Sequence, residues 1–114
     1  MELRHRTQGS VNIVMPTRRI DQSSADEFQA ALAPHLAACT KGGTPLVLDF
    51  SDVEYISSVG LRVLMLAARQ TGAQGGRLVI AVLQPMVREV FEISSFDLVF
   101  KIFDDVCAAV EALS

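Results

Sequence analysis

Two adjacent serine hydroxyls, on Ser57 and Ser58, are the side chains of this sequence whose placement most suggests chemistry. They follow an apolar run of strand length over residues 45–50 and precede a helical pattern that starts at Gly60. The first backbone N–H groups of a helix lack partners and carry a partial positive charge, so a phosphate is well tolerated there. Serine is also a favoured helix cap, because its oxygen accepts one of those N–H groups. The pair therefore predicts a helix cap, a phosphorylation site, or both.

Motifs of known enzyme classes are missing from the sequence. It has no phosphate-binding loop and no dinucleotide-binding glycine pattern. Ser58 is not in a nucleophile elbow, since Ile56 occupies the position of the first glycine. Asp49 and Asp52 resemble a carboxylate pair, but no further metal ligand recurs near the ends of the other strands. We therefore expect no catalytic residues, no metal and no cofactor.

Composition limits the class of protein further. The chain has 114 residues, of which 50% are hydrophobic, which suits one domain over residues 1–114. The net charge of −3 argues against nucleic acid as a partner. No apolar run approaches the roughly 20 residues of a membrane helix, and the N-terminus lacks the apolar segment of a signal peptide. Cys39 and Cys107 are too few for a structural zinc site. We expect a cytoplasmic chain without membrane insertion, either a monomer or a weak dimer.

The first half of the chain reads as a hairpin, a loop and a buried strand. Residues 3–8 and 11–15 are two short strands separated by Gly9 and Ser10, and residues 17–23 form a loop. The mostly apolar residues 46–50 predict a central strand that is buried on both faces.

The first predicted helix begins at Ser24. Ser24 and Glu27 have the spacing of a capping box, in which each side chain accepts the other residue's backbone N–H. Pro34 conflicts with a smooth helix, because proline removes a backbone hydrogen bond and its ring clashes with the preceding turn. We expect a kink or a break there, with helix resuming to about Cys39.

The second half alternates helices with strands. The predicted elements are a helix from Gly60 that ends within 71–76, a strand over 77–82, a helix opened by Pro85, a short strand over 98–102, and a terminal helix capped by Asp104. The order β-β-α-β-α-β-α-β-α predicts an α/β fold with a mixed, mostly parallel sheet and helices packed on it.

The stretch Asp49-Phe50-Ser51-Asp52-Val53-Glu54-Tyr55-Ile56-Ser57-Ser58-Val59-Gly60-Leu61-Arg62-Val63-Leu64 resembles the signature of the STAS family, the anti-sigma factor antagonists. The resemblance continues through residues 75–80, the pattern of Pro85, Val87 and Phe91, and the closing helix, so it covers essentially the whole chain. It implies a single STAS-like domain.

The resemblance also implies a regulatory function. In the family, a serine kinase that is itself the anti-sigma factor phosphorylates the hydroxyl residue after a position often held by aspartate. That position corresponds to Ser57, so Ser58 corresponds to the phosphate acceptor. The unphosphorylated antagonist binds the kinase and frees a sigma factor, and a PP2C-type phosphatase resets the switch.

A loop before the first helix completes the family site. Arg18 to Asp21 match that loop, with Asp21 as the corresponding aspartate and Arg18 in place of the usual glycine. The partner-binding residues that the resemblance implies are Asp21, Gln22, Ser23, Ser57, Ser58, Val59, Gly60, Leu61 and Arg62. For Gly60, a role in backbone geometry at the helix start is an equal alternative.

Two other functions remain open from the sequence. Small STAS proteins also resemble accessory subunits of lipid-trafficking ABC transporters, which dock on an ATPase and need no phosphorylation. A partner-switching module can also control an output other than transcription.

Overall fold

The structure, a computed structural model, describes residues 3–114. The strands in that range are β1 (Arg4–Gln8), β2 (Val11–Met15), β3 (Arg18–Ile20), β4 (Leu46–Asp49), β5 (Val53–Ile56), β6 (Leu78–Ala81) and β7 (Ile102–Phe103). The α-helices are α1 (Ala25–Ala38), α2 (Ser58–Ala73), α3 (Pro85–Ile93) and α4 (Val106–Leu113), and a 3-10 helix spans Phe96–Leu98. No helix in the described range has both the length and the apolar character needed to cross a membrane.

The main sheet has five strands in the order β1-β2-β4-β6-β7. Strand β1 pairs antiparallel with β2, whereas β2–β4, β4–β6 and β6–β7 are parallel pairs. The predicted hairpin and the mixed, mostly parallel sheet are therefore confirmed. Strand β4 is buried along its whole length, as its continuous apolar sequence predicts.

Helices cover both faces of this sheet because successive side chains of a strand point to opposite sides. Leu46 and Leu48 of β4 belong to the larger core cluster, which includes Phe28 of α1, Leu64 of α2 and Phe91 of α3. Val47, between the two leucines, belongs to a smaller cluster with Val110 of α4. Three helices thus pack on one face and α4 on the other.

Two short strands, β3 and β5, were not predicted, and they form a separate two-stranded parallel sheet. Strand β3 lies within the predicted loop over 17–23, and β5 lies between the buried strand β4 and helix α2. The observed order therefore differs from the predicted one by these two additional strands. They are three and four residues long, which is too short for an alternating pattern to be recognised. Each is stabilised by pairing with the other.

The predicted capping box of α1 is wrong. Ser24 makes no side-chain cap hydrogen bond. Its hydroxyl donates to the backbone oxygen of Arg19 at 2.9 Å and accepts the backbone N–H of Asp21 at 3.1 Å. The side chain therefore holds the end of β3 instead of the helix start.

Of the kink or break predicted at Pro34, the break is wrong, since α1 continues through it to Ala38, and the kink stays a prediction. Pro34 lacks the N–H that would bond to the carbonyl of Ala30. Both residues are exposed. The helix therefore tolerates the loss of this hydrogen bond on its exposed face.

Near the C-terminus the predicted elements are displaced. A 3-10 helix begins at Phe96, and the last strand covers Ile102–Phe103 instead of residues 98–102. Asp105, not Asp104, caps α4, because its carboxylate accepts the backbone N–H of Ala108 at 2.7 Å. Two adjacent aspartates give the sequence no means of distinguishing which one is the cap.

Candidate functional site

The two serines have different roles at the start of α2. Ser57 is the N-cap, with extended backbone geometry, and its hydroxyl oxygen accepts the backbone N–H of Gly60 at 3.3 Å. Ser58 is the first residue of the helix and is exposed. Its hydroxyl makes no hydrogen bond with any other residue among those the structure describes. The helix therefore starts two residues earlier than predicted, and the cap leaves the second hydroxyl free.

The predicted partner-binding residues at the start of α2 divide into outward and inward sets. Ser58 and Arg62 are exposed, and the side chain of Val59 is 40% exposed. Gly60 is buried, and Leu61 is only 7% exposed. Direct packing of a partner against Gly60 and Leu61 stays a prediction, and in this structure both residues face the interior of the protein.

Glycine is required at position 60 because Ile20 and Ile56 lie too close for a side chain there. A Cβ at this position would lie 2.8 Å from the carbonyl oxygen of Ile20 and 2.8 Å from Cγ1 of Ile56. Distances below 3.0 Å are essentially never seen for real Cβ atoms, and a backbone oxygen cannot move aside as a flexible side chain can. The structure thus gives this glycine a packing role within the chain, whereas its φ is not positive and the predicted role in backbone geometry is not required.

The loop before α1 lies beside the start of α2 because β3 and β5 pair. The backbone N–H of Ser57 donates to the carbonyl oxygen of Ile20 at 2.9 Å, and Asp21 follows Ile20 directly. Gln22 and Ser23 are exposed, and Asp21 is half-buried. The two segments that the family resemblance assigned to one surface are therefore neighbours.

Asp21 organises this loop through its carboxylate. Its Oδ1 accepts the hydroxyl of Ser23 at 2.6 Å and the backbone N–H of Ser23 at 3.0 Å. These hydrogen bonds, with a smaller contribution from Arg19, hold the pKa of Asp21 below its ordinary value. The loop thus presents a fixed negative charge next to the serine pair.

Arg19 lies in the loop that the family resemblance indicates, but it was not among the predicted partner-binding residues. Its guanidinium lies over the ring of Tyr55, with Cζ 4.5 Å from the ring centroid, and its Nε lies 3.3 Å from Oδ2 of Asp21. Arg19 and Tyr55 are register partners of β3 and β5. Since neither strand was predicted, no signal in the sequence brought the two residues together.

Arg18 has a backbone conformation that is rare for a residue with a side chain. Its φ is 62°, in the left-handed region, and its N–H donates to the carbonyl oxygen of Asp52 at 2.7 Å. The strand register shifts between Arg18 and Arg19. Glycine, which the family resemblance places at this position, adopts positive φ without a steric penalty.

The surroundings of Ser58 lack the partners of a catalytic nucleophile among the described residues. Neither histidine contacts the serines. Nδ1 of His35 lies 2.9 Å from Nδ2 of Asn12, and the ring of His35 packs on that of His5. A nucleophilic serine needs an adjacent base, and none of the described residues supplies one to Ser58. Within residues 3–114, no group of three histidine, cysteine or carboxylate side chains could hold a metal ion.

Comparisons with known proteins identify the family of this chain. The model of the STAS domain family matches residues 2–109. The chain is 42% identical over 93 residues to a protein of Bordetella bronchiseptica named "Putative anti-sigma factor antagonist BtrV", covering 82% of this chain and 78% of that relative.

Solved structures show the same fold. The crystal structure of TM1081, a putative anti-sigma factor antagonist from Thermotoga maritima, superposes on this chain with a TM-score of 0.86. The two chains are 25% identical, and the match covers 96% of this chain and 92% of that one. The phosphorylated form of SpoIIAA from Bacillus has a TM-score of 0.70 at 14% identity, over 98% and 99% of the two chains, and shares the fold alone. The chain belongs to the STAS domain family, and several of the relatives it matches are named as putative anti-sigma factor antagonists.

Proposed function

We propose that this protein is an anti-sigma factor antagonist in a partner-switching pathway. It binds an anti-sigma factor that is a serine kinase, and phosphorylation of Ser58 releases it. The observation that carries the proposal is the division of roles between the two serines. Ser57 caps α2, whereas Ser58 is exposed and without a hydrogen bond among the described residues. Its hydroxyl can enter a kinase active site without disturbing the helix cap.

The partner surface that fits this role consists of the outward-facing residues of two adjacent segments. Gln22 and Ser23 come from the loop before α1, and Ser58, Val59 and Arg62 come from the first turns of α2. Gly60 and Leu61 support this surface from beneath. Asp21 and Ser57 belong to it as residues that fix the shape of the loop and of the helix start.

Phosphorylation is expected to act on binding and to leave the fold intact. It adds about −1.5 to −2 charges next to the N-terminus of α2, where the helix dipole and the free N–H groups favour an anion. In the complex, the same dianion would be desolvated against the kinase. A hundredfold loss of affinity needs only about 2.7 kcal/mol, which one misplaced buried charge can supply.

The relatives support the proposal without identifying a partner. BtrV is named as an antagonist, and SpoIIAA has been solved in a phosphorylated form. We further propose that a PP2C-type phosphatase restores the unphosphorylated state. The proposal places the protein in the cytoplasm, where such a kinase and phosphatase act.

Incubation with the kinase encoded nearest to this gene, in the presence of ATP, tests the assignment. The peptide that contains Ser58 should gain the mass of one phosphate in the wild type and in Ser57→Ala, but not in Ser58→Ala. A phosphate on another peptide, or none in the wild type, would contradict the proposal. Stable co-purification with an ABC ATPase in place of a kinase would favour the transport function instead.

Binding of a variant that mimics phosphorylated Ser58 to the kinase tests the expected effect of phosphorylation. Ser58→Asp should weaken the complex with the kinase while the unfolding midpoint stays near that of the wild type. Unfolding of Ser58→Asp would instead assign the serine a structural role.

A further inference from the structure

Helix α2 differs in charge from the rest of the chain. The protein has a net charge of −3, yet Ser58–Ala73 contains no aspartate or glutamate. Its first turn, like those of α3 and α4, lacks the acidic residues that complement the helix dipole, which α1 has in Asp26 and Glu27. The N-terminus of α2 is therefore a positive helix end without an acidic residue in its own first turn, and the neighbouring carboxylate is that of Asp21 in the loop before α1.

Arg62 is one helical turn after Ser58 on the same side of this helix. Residues four apart on a helix are neighbours, with Cβ atoms about 5–6 Å apart. Both side chains are exposed, and Arg62 makes no ion pair or hydrogen bond with any residue that the structure describes. Its other neighbours on that face, Val59 and Leu66, are apolar and each 40% exposed.

We propose that Arg62 binds the phosphate of phosphorylated Ser58 within this chain, and that in the unphosphorylated protein the same guanidinium binds a carboxylate of the anti-sigma factor. This inference rests on the proposed function and specifies its regulation. An anion four residues before a cation is the favourable order along a helix. Arginine holds phosphate through two parallel hydrogen bonds, so it is suited to this role.

The two uses of Arg62 exclude one another. In the unphosphorylated protein, the exposed apolar side chains of Val59 and Leu66 lie on either side of the free guanidinium of Arg62 along the helix face. This arrangement fits an acidic side chain set in an apolar surface of the partner. Phosphorylation supplies a dianion at intramolecular distance, which captures the guanidinium. The partner's carboxylate then loses its counter-charge and meets the phosphate. Phosphorylation thus both adds a repulsive group and removes an attractive one.

The intramolecular half can be tested without any kinase by incorporating phosphoserine at position 58 during translation. Phosphorus NMR then gives the second pKa of the phosphate, which should be a few tenths of a unit lower in the wild type than in Arg62→Gln, because the guanidinium favours the dianion. Arg69→Gln is the matched control, an exposed arginine of the same helix that lies far from Ser58, and it should leave the pKa unchanged. Equal pKa values in wild type and Arg62→Gln would overturn the inference, whether or not Ser58 is phosphorylated in the cell.

The intermolecular half uses the kinase as the binding partner. Arg62→Gln should weaken the unphosphorylated complex several-fold. Introducing phosphoserine at position 58 should then reduce the affinity for the kinase by a smaller factor in Arg62→Gln than in the wild type. If phosphorylation reduced the affinity by the same factor in the wild type and in Arg62→Gln, the phosphate and the partner's carboxylate would not compete for Arg62. Absence of any binding by the wild type would overturn the proposed function itself, while the NMR result on Arg62 would stand.

Discussion

Gly60 of α2 lies against Ile20 of β3 so closely that a Cβ on the glycine would be 2.8 Å from the isoleucine carbonyl oxygen. The same carbonyl accepts the backbone N–H of Ser57 at 2.9 Å. The carbonyl oxygen of Ile20 therefore fixes both the position of the N-cap residue and how closely α2 packs against the two-stranded sheet of β3 and β5. This contact sets where the exposed Ser58 is displayed.

Gly60→Ala should destabilise the protein by about 1–3 kcal/mol, because the added methyl group overpacks a site closed by backbone atoms. Gly72→Ala in the same helix is the matched control, since a Cβ there meets nothing within 4 Å. That variant should be as stable as the wild type or more stable by up to about 1 kcal/mol, because alanine favours helix. Urea unfolding of both variants measures the difference. Equal stability of the two would contradict the close approach.

Ser57→Ala and Ser58→Ala should differ in stability although the residues are adjacent. Ser57→Ala removes the hydroxyl that accepts the N–H of Gly60, and loss of such a cap costs about 0.5–2 kcal/mol. Ser58→Ala removes an exposed hydroxyl without a partner among the described residues, so its free energy of unfolding should stay within about 0.5 kcal/mol of the wild type. A larger loss for Ser58→Ala than for Ser57→Ala would reverse the assigned roles. Thermal or urea unfolding gives the comparison.

The sequence predicted the main sheet and the serine pair because their signals are local. Strand β4 is a continuous apolar run, and Pro85 occupies the favoured first position of α3. The position of Ser58 at a helix start follows from adjacent sequence and from the family resemblance. None of these inferences depends on a contact between distant parts of the chain.

The parts that the sequence missed depend on contacts between distant residues. Strands β3 and β5 exist because they pair with each other across more than thirty residues of chain. Ser24 was assigned to a capping box because its alternative partners, in β3 and the loop that follows, were not recognisable. The inward orientation of Gly60 and Leu61 likewise follows from packing of α2 on β3 and β5, which a sequence pattern does not reveal.

Arg18→Gly should be neutral or stabilising by up to about 1 kcal/mol. The left-handed conformation of Arg18 costs roughly 1–2 kcal/mol for a residue with a Cβ, and glycine removes this cost while losing more entropy on folding. The hydrogen bond from its backbone N–H to Asp52 is retained. Arg19→Gly is the contrasting variant and should destabilise, because it removes the contact with Tyr55 and the ion pair with Asp21. Destabilisation by Arg18→Gly, measured by urea unfolding, would show that its side chain contributes more than its backbone strain costs.

His35 of α1 should give the protein a pH-dependent stability. Its pKa is lowered by burial and, to a smaller extent, by the charge of His5, whose ring centroid is 5.0 Å away. Above about pH 6.5, the ordinary pKa of histidine, the imidazole is neutral in both the folded and the unfolded chain. Below that pH the unfolded chain takes up a proton that the folded protein does not, so the free energy of unfolding should fall until the lower pKa of the folded state is passed.

Unfolding midpoints in urea at about pH 7.5 and about pH 5.5 measure this dependence, in a range above the titration of ordinary carboxylates. His35→Gln should show a smaller loss of stability between the two pH values than the wild type. His5→Gln should reduce the loss only in part, because the charge of His5 is the lesser cause of the shift and burial remains. If His35→Gln loses as much stability as the wild type, the pH dependence arises from another group, and the half-buried contact of His35 with Asn12 does not suppress its protonation.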